Sequence, residues 1–423
     1  MSAAVPLLAQ ELFPHVEITR KQLEPCLEDL DGFLKRYAPR FYRTEQRDHA
    51  RTYIEGLLSD LARKTCEPIA LDHQQERWLI QHFVGAGLWD DEAIVSELHL
   101  HVREAIGDPL GILILDGSDF QKKGTESVGV KRQWCGRLGK VENCQAGVYL
   151  AYAGSGDAAL IDRRLYLPRE WTRSPRRRKK CHVPKDIRFL TKIQIANELL
   201  KKDAPGFPHA WITGDDEFGR PAWFRRALAR RNERYLLEVP SNTLIRDLEA
   251  SPPQRRSPQG RAPKTPFVQA TEWAHAQPAS AWTRVVVRAG ELGPLQVEAL
   301  RTRVQAKDEG KIGPEETFLV TRTLGSDPEY RFYLSNNADA SVALPEIVRV
   351  AKHRHLIEEC LERAKGEAGL AHYEVRSWVG WLHHMTLSLV ATWFLTLQKR
   401  RVGKKDAGSD RPTDGLGLPH AVA

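Results

Sequence analysis

Two short, uninterrupted apolar runs constrain this chain most: GILILD, ending on Asp116, and AWITGD, ending on Asp215. A run of about six residues with no polar alternation, bounded by Gly or Asp, is a fully buried strand rather than half of an amphipathic helix. Buried strands need cover, and the segments around AWITGD supply it. IRFLTKIQIANELLKK and RPAWFRRALARRNE carry helical apolar spacing, and the second leads into another apolar strand, RYLLEVP. The expectation is an α/β core with acids at strand ends.

The rest of the chain divides around that core. At 423 residues it exceeds one domain of ordinary size, and its 41% hydrophobic fraction is enough for a real core. Residues 1–105 carry spaced apolar positions in LEDLDGFLKRYAPRFY, HARTYIEGLLSDLARK and DEAIVSELHLHVREAI, which predict a compact N-terminal helical domain. Residues 106–240 hold the core, where GILILD, QAGVYLAYAG and DRRLYLPREW predict three adjacent antiparallel strands. Residues 241–335 begin with SPPQRRSPQGRAPKTP, an exposed loop by its Pro, Ser and Arg content. They continue as SAWTRVVVRAG, LQVEALRTRVQ, ETFLVTRTL and YRFYLSNN, alternating strands with one wet face. Residues 336–402 return to helix, and 403–423 form a polar tail expected to be disordered. MTLSLVATWFLTLQ is too short and too polar for a membrane span and is expected to be a core helix. Six cysteines fall in no CxxC pair and no secreted-domain pattern, and the N-terminus reaches an acid too soon for a signal peptide, so reduced thiols in a cytosol are expected. The formal charge of +8 and the 63 Lys and Arg suit contact with a polyanion.

A third acid joins the two strand-end aspartates. In AKHRHLIEECLERAKGEAGL, Arg354, Glu358 and Lys365 stand four and then seven residues apart, so a helix projects them from one side with the carboxylate between two cations. Two strand-end aspartates and a helix glutamate are a set of the kind that holds a pair of divalent metals. Hard oxygen donors suit Mg²⁺ or Mn²⁺, and cleavage of a phosphodiester at neutral pH needs both an activated water and neutralised phosphorane charge.

At these residues the chain resembles the DDE transposases of bacterial insertion sequences, specifically the insertion-sequence-four-like branch whose third acid lies in a Tyr-Arg-Glu-Lys signature. The resemblance is carried by LDGSDFQKKGTESVGVKRQWCGRLGKVENCQAGVYLAYAG, by GDDEFG and by IEECLERAKGEAGLAHYEVRSWVGWLHHMTL, in that order, and extends over nearly the whole chain. It implies an RNase H-like core interrupted by a β-rich insertion, with the N-terminal domain binding DNA ends and a C-terminal helical segment bringing in the third acid. It makes Asp116, Asp215 and Glu358 the metal ligands, with Mg²⁺ as cofactor and Mn²⁺ able to substitute, and it places Arg354 and Lys365 near the DNA backbone. The signature's tyrosine position, three before Arg354, is Ala351. The implied partners are double-stranded DNA, as terminal inverted repeats and target, and a second copy of the chain in the synaptic complex, with no membrane. The implied location is a bacterial cytoplasm, at the nucleoid.

Each of these residues also has a plainer reading. A strand-end Asp is commonly a turn or cap residue, and a helical Glu among bases forms exposed ion pairs worth roughly 0.3–0.5 kcal/mol. Asp119 and Asp216 compete with Asp116 and Asp215; the strand-end position favours Asp116, leaving Asp119 as a loop acid, and the Asp-x-x-aromatic-Gly pattern with Phe218 and Gly219 favours Asp215. The run Arg176, Arg177, Arg178, Lys179 and Lys180 is either a solvated loop or a phosphate-tracking one, and Lys122, Lys123, Lys131 and Arg132 follow the first acid closely enough to meet the same DNA. Trp273 and Trp282 are expected in the core rather than on an extruded base. Adjacent His383 and His384 point about 100° apart on a helix and do not chelate as a pair, so they are expected in the core or behind the ligands. Cys135 and Cys144 are expected as buried thiols. Two other functions fit the same residues: a catalytically silent, transposase-derived DNA-binding protein, and an RNase H-like nuclease that cuts without joining.

Overall fold

The computed structural model describes residues 20–254, 263–288, 294–337 and 342–406. Residues 255–262 of the proline- and arginine-rich loop, and the tail from 407, lie outside the described residues. Five helices come first: α1 (Arg20–Tyr37), α2 (Thr44–Leu58), α3 (Cys66–Asp72), α4 (Arg77–Gly85) and α5 (Asp91–Ile106). Asp90 caps α5 by accepting from the amides of Glu92 and Ala93. The chain then enters a mixed sheet: β1 (Ile112–Gln121), β2 (Lys131–Cys135), β3 (Lys140–Gly154) and β4 (Asp157–Leu165). Helices α6 (Arg169–Thr172), α7 (Pro175–Lys180) and α8 (Lys192–Asp203) precede β5 (Trp211–Gly214). Helices α9 (Asp216–Gly219) and α10 (Ala222–Arg230) connect β5 to β6 (Tyr235–Val239).

Residues 241–335, expected as an insertion, add β7 (Leu244–Asp247), β8 (Val268–Gln269), α11 (Ala270–His275), β9 (Thr283–Arg288), β10 (Leu295–Asp308), β11 (Lys311–Thr323) and β12 (Tyr330–Ser335). They do not form a separate layer. Strand β12 pairs antiparallel with β6, so one sheet runs β2-β3-β1-β5-β6-β12-β11-β10-β7-β8, with β4 on β3 and β9 on β10. The insertion has its own small core, in which Trp273 and Trp282 are buried with Phe318 and Phe332, so both tryptophans pack as expected. Trp273 donates to Asp247 and Arg322 lies over the Trp282 ring.

The last helices are α12 (Leu344–His353), α13 (His355–Gly366) and α14 (Trp378–Asp406). From Trp378 to Gln398 helix α14 is buried on nearly every side. Helices α1, α2, α4 and α5 all pack on it, with Phe33 against Phe394 and the Tyr53 hydroxyl 2.8 Å from Nδ1 of His384, so the N-terminal helices share one core with the sheet. His383 and His384 are buried and bond backbone carbonyls, as a core role requires. Cys135 and Cys144 are buried and free.

Two expectations need correction, and one strand goes unread in the sequence. The strand through GILILD does not end at Asp116: antiparallel pairing with β3 carries it to Gln121, so Asp119 is a strand residue rather than a loop acid. Its Oδ2 accepts from the Gly136 amide and pins the turn after β2. Strand β2 itself, KRQWC, has polar residues on an exposed edge and so carries no apolar run to announce it. Finally, the helix bearing Glu358 is not continuous with LPEIVRVAKH, because a turn falls at Arg354, where the rings of His353 and His355 engage the carbonyls of Arg349 and Lys352.

Candidate active site

The site is built from strand register. Parallel pairing aligns Leu115 of β1 with Gly214 of β5, and Gly214 with Leu237 of β6. The next residue on each chain is acidic: Asp116, Asp215 and Glu238. Thus Asp116 lies mid-strand, but at the level where its parallel neighbour ends. Asp215 leaves β5 and caps α9, accepting from the amides of Glu217 at 3.0 Å and Phe218 at 3.4 Å, so the plain capping role and a place in the acidic row coexist. Asp116 accepts from the amide of Gly117.

Helix α13 lies over β1, β3 and β4 and faces this row. Asp116, Glu358, Lys365 and Arg137 line one cleft of about 550 Å³. Arg354 and Glu358 are one helical turn apart and paired, and the Nε of Arg354 is 2.9 Å from a carboxylate oxygen of Glu238. Burial raises the carboxyl of Asp116 well above the ordinary Asp value, and the charges of Asp215 and Glu358 raise it further, against the opposing pull of Arg354. Asp215 is likewise raised, by burial, then by Glu217, again against Arg354. Arg354 keeps its charge firmly: burial works against it, but Glu358 and Glu238 outweigh burial.

Among the described residues no three His, Cys, Asp or Glu side chains already enclose one point as a closed metal cage. The donor chemistry nevertheless fits a hard divalent cation: carboxylate oxygens only, with negative charge that the fold leaves poorly balanced, as the raised aspartates record. Arg354 is the cation that offsets it, and it engages Glu358, the one acid of the three on a helix. Asp116, Asp215 and Glu358 are carboxylates that could hold such an ion.

A family model described as DDE superfamily endonuclease matches residues 36–294. The chain belongs to this superfamily. The matched span contains Asp116 and Asp215 and ends before Glu358. A probable transposase for insertion sequence element IS701 from Microchaete diplosiphon is 29% identical over 230 residues, covering 52% of this chain and 56% of that protein. The chain therefore spans about half the length of the curated relative it matches. Among solved structures, a cryo-EM structure of piggyBac transposase in a synaptic complex with hairpin DNA aligns with a TM-score of 0.41 and 11% identity, over 87% of this chain and 68% of that one.

Within this superfamily member, the expected DNA-facing cations part company. Arg354 pairs with Glu358, and Lys365 lines the cleft with Asp116 and Glu358 and lies 5.7 Å from the Phe120 ring centre. Lys122 does not face solvent. Its ammonium sits 3.3 Å over the Tyr373 ring and donates to the Tyr373 carbonyl, and burial lowers its pKa to about 7. Sequence reading fails there because Tyr373 is distant in the chain. Lys123 and Arg132 are exposed, while Lys131 pairs with Glu170. The run from Arg176 to Lys180 is the short helix α7 rather than a loop, capped by Ser174. Arg178 turns inward to the carbonyls of Pro184, Lys185 and Ile187; Arg177 covers Trp171; Lys180 pairs with Glu126; and Arg176 and Lys179 are exposed.

Three neighbours of the acids escape the sequence reading. Arg137 lines the cleft from the turn after β2. Lys192, first residue of α8, is 3.0 Å from Glu217 beside Gly117. Glu238 completes the acidic row, and its signal is present: RYLLEVP is an apolar strand carrying an acid, like the runs that reach Asp116 and Asp215.

The glycine of GDDEFG also has a cause. A Cβ at Gly219 would lie 1.7 Å from the carbonyl oxygen of Glu238 and 2.8 Å from its carbon, so only Gly lets α9 close against β6. Backbone cannot step aside as a flexible side chain does. Gly219→Ala is expected to lower unfolding free energy by about 3 kcal/mol, at the upper end for overpacking. Denaturant titration measures it, and unchanged stability would mean that α9 is not held against β6.

Proposed function

We propose that the chain is the transposase of a bacterial insertion sequence, of the branch with the Tyr-Arg-Glu-Lys signature, and that Asp116, Asp215 and Glu358 form its metal-binding catalytic set. The observation that carries this is the row of Asp116 and Asp215 on adjacent parallel strands, faced by a helix whose Glu358 pairs with Arg354 and shares one cleft with Asp116 and Lys365. The strand order β4-β3-β1-β5-β6, with β3 antiparallel and β5 and β6 parallel to β1, supports an RNase H-like core. In this reading residues 1–105 engage DNA ends, 106–240 and 336–402 make the core, and 241–335 are an insertion. The IS701 relative, itself a probable transposase, supports the same reading.

The division of labour follows from the side chains. Asp116, Asp215 and Glu358 hold Mg²⁺, or Mn²⁺ in its place. When bound, the divalent pair supplies an activated water and neutralises charge on the phosphorus. Arg354, Lys365 and Arg137 hold the phosphate backbone over the acids, Arg354 by a planar fork that matches phosphate oxygens. Each displacement is in line at phosphorus, with water as the first nucleophile and the freed 3′-hydroxyl as the second, so one site serves cleavage and joining. Two DNA ends joined together imply at least two copies of the chain.

Purified protein is tested on DNA carrying the inverted repeats that flank its gene, with Mg²⁺ and a target plasmid. Cleavage at the ends followed by strand joining is the expected result. Cutting without joining would leave a nuclease, and binding without cutting a silent DNA-binding protein.

The exposed cations give a separate expectation. Neutralising Arg176 and Lys179 together should flatten the slope of log affinity against log salt by about one unit for each phosphate no longer engaged. Arg178→Ala should instead destabilise the loop after α7. An unchanged slope in the first variant would assign the exposed pair to solvent.

A further inference from the structure

Arg354 has two acidic partners of different kinds. Glu358 is on its own helix one turn on, with a side chain 49% exposed. Glu238 is on β6, and its side chain is 12% exposed. The other oxygen of Glu238 takes Nη1 of Arg331 at 3.1 Å, so this carboxylate is held between two guanidinium groups. It is also the third member of the register row, one strand from Asp215. Nothing in its position resembles a surface ion pair, because water does not reach it freely and both partners are arginines whose charge cannot be discharged.

We propose that Glu238 is the positioning residue of Arg354: it anchors the guanidinium from the strand side, so that Glu358 is free to turn to metal while Arg354 stays beside the acids to meet phosphate. The inference rests on the reading of Asp116, Asp215 and Glu358 as the metal set. The physical reason is competition. A guanidinium within reach of three acids neutralises the same negative charge that a divalent cation must use. A fourth acid that binds its Nε takes it out of that competition without removing it from the site. Deprived of Glu238, Arg354 would pair more fully with Glu358 and the aspartates, and metal would bind less well. Glu238 touches neither metal nor substrate in this scheme.

The test is Mn²⁺ binding without DNA, followed by electron paramagnetic resonance of the free ion. It compares the parental protein, Glu238→Gln, Arg354→Gln and the double variant. Glu238→Gln is expected to weaken Mn²⁺ at least tenfold, Arg354→Gln to leave it equal or tighter, and the double variant to return within about threefold of Arg354→Gln, since removing the competitor makes its anchor unnecessary. Glu238→Asp, which keeps the charge but shortens the reach to Arg354, is carried in parallel as a second probe, with the same direction of loss, and each variant's thermal transition reports its folded state. Mn²⁺ binding that stays weak in the folded double variant would make Glu238 a metal ligand and overturn the proposal. Parental affinity in both Glu238→Gln and Glu238→Asp would overturn it equally. Absence of Mn²⁺ binding by the parental protein would remove the metal reading itself, and this inference with it.

Discussion

Asp116→Asn is expected to abolish DNA cleavage while making the metal-free protein more stable. Both effects come from one cause. Asp116 is forced up in pKa by burial and by Asp215 and Glu358, and Asp215 is raised as well, so the folded chain binds protons that the unfolded chain has released. The sign follows: for a carboxyl raised on folding, stability is fully present below the ordinary Asp value of 3.8 and is lost as pH rises above it toward the folded-state value. In metal-free buffer the parental protein should therefore lose thermal stability as pH rises from about 5 to about 8, and Asp116→Asn should lose less. Each kcal/mol relieved raises the melting temperature of a chain this size by roughly 2 °C. Adding Mg²⁺ should reverse the order, raising the parental melting temperature more than the variant's. DNA affinity should change little, because it comes from the basic surface. A metal-free variant less stable than the parent near pH 8 would show that the fold already balances the Asp116 charge, and retained cleavage would remove Asp116 from the site.

Asp116 and Asp215 are legible as candidates because each is the first acid after a short apolar run. Fold class, the core helix in MTLSLVATWFLTLQ and the buried His383 and His384 were legible for similarly local reasons. What could not be read was set by register and by distant partners. That Asp116 and Asp215 lie side by side depends on Leu115 pairing with Gly214, a relation between segments far apart in the chain. Glu238 carried the same strand-end signal as the aspartates, but only the β5–β6 register puts it in their row. Lys122 looked like a phosphate ligand because nothing nearby in sequence foretells Tyr373. The break at Arg354 was invisible because LPEIVRVAKH and HLIEECLERAKG are each good helices in nearly continuous phase.

Arg225→Ala should destabilise the fold by about 3–5 kcal/mol, the cost of stranding a buried charge. Arg225 is almost wholly buried on α10 and gives Nε and Nη2 to the fully buried carboxylate of Glu316 on β11, at 2.8 and 3.3 Å. The Tyr235 hydroxyl of β6 donates to the same carboxylate at 2.6 Å, so one charge cluster ties the insertion to the core. Arg225 also supports the acidic row, since its Nη1 donates to the carbonyls of Gly219 and Arg220, the end of the turn that Asp215 caps. Arg225→Met combined with Glu316→Leu separates the two roles. With no charge left in the interior, most of the lost stability should return, as replacement of buried ion pairs by apolar side chains allows. The carbonyls of Gly219 and Arg220 would still lack their donor, so the Asp215 turn should stay loosened and Mn²⁺ affinity should remain below parental. Denaturant titration and Mn²⁺ binding measure the two halves independently. Full recovery of both in the double variant would mean that Arg225 serves only to balance Glu316 and does not hold the turn under Asp215.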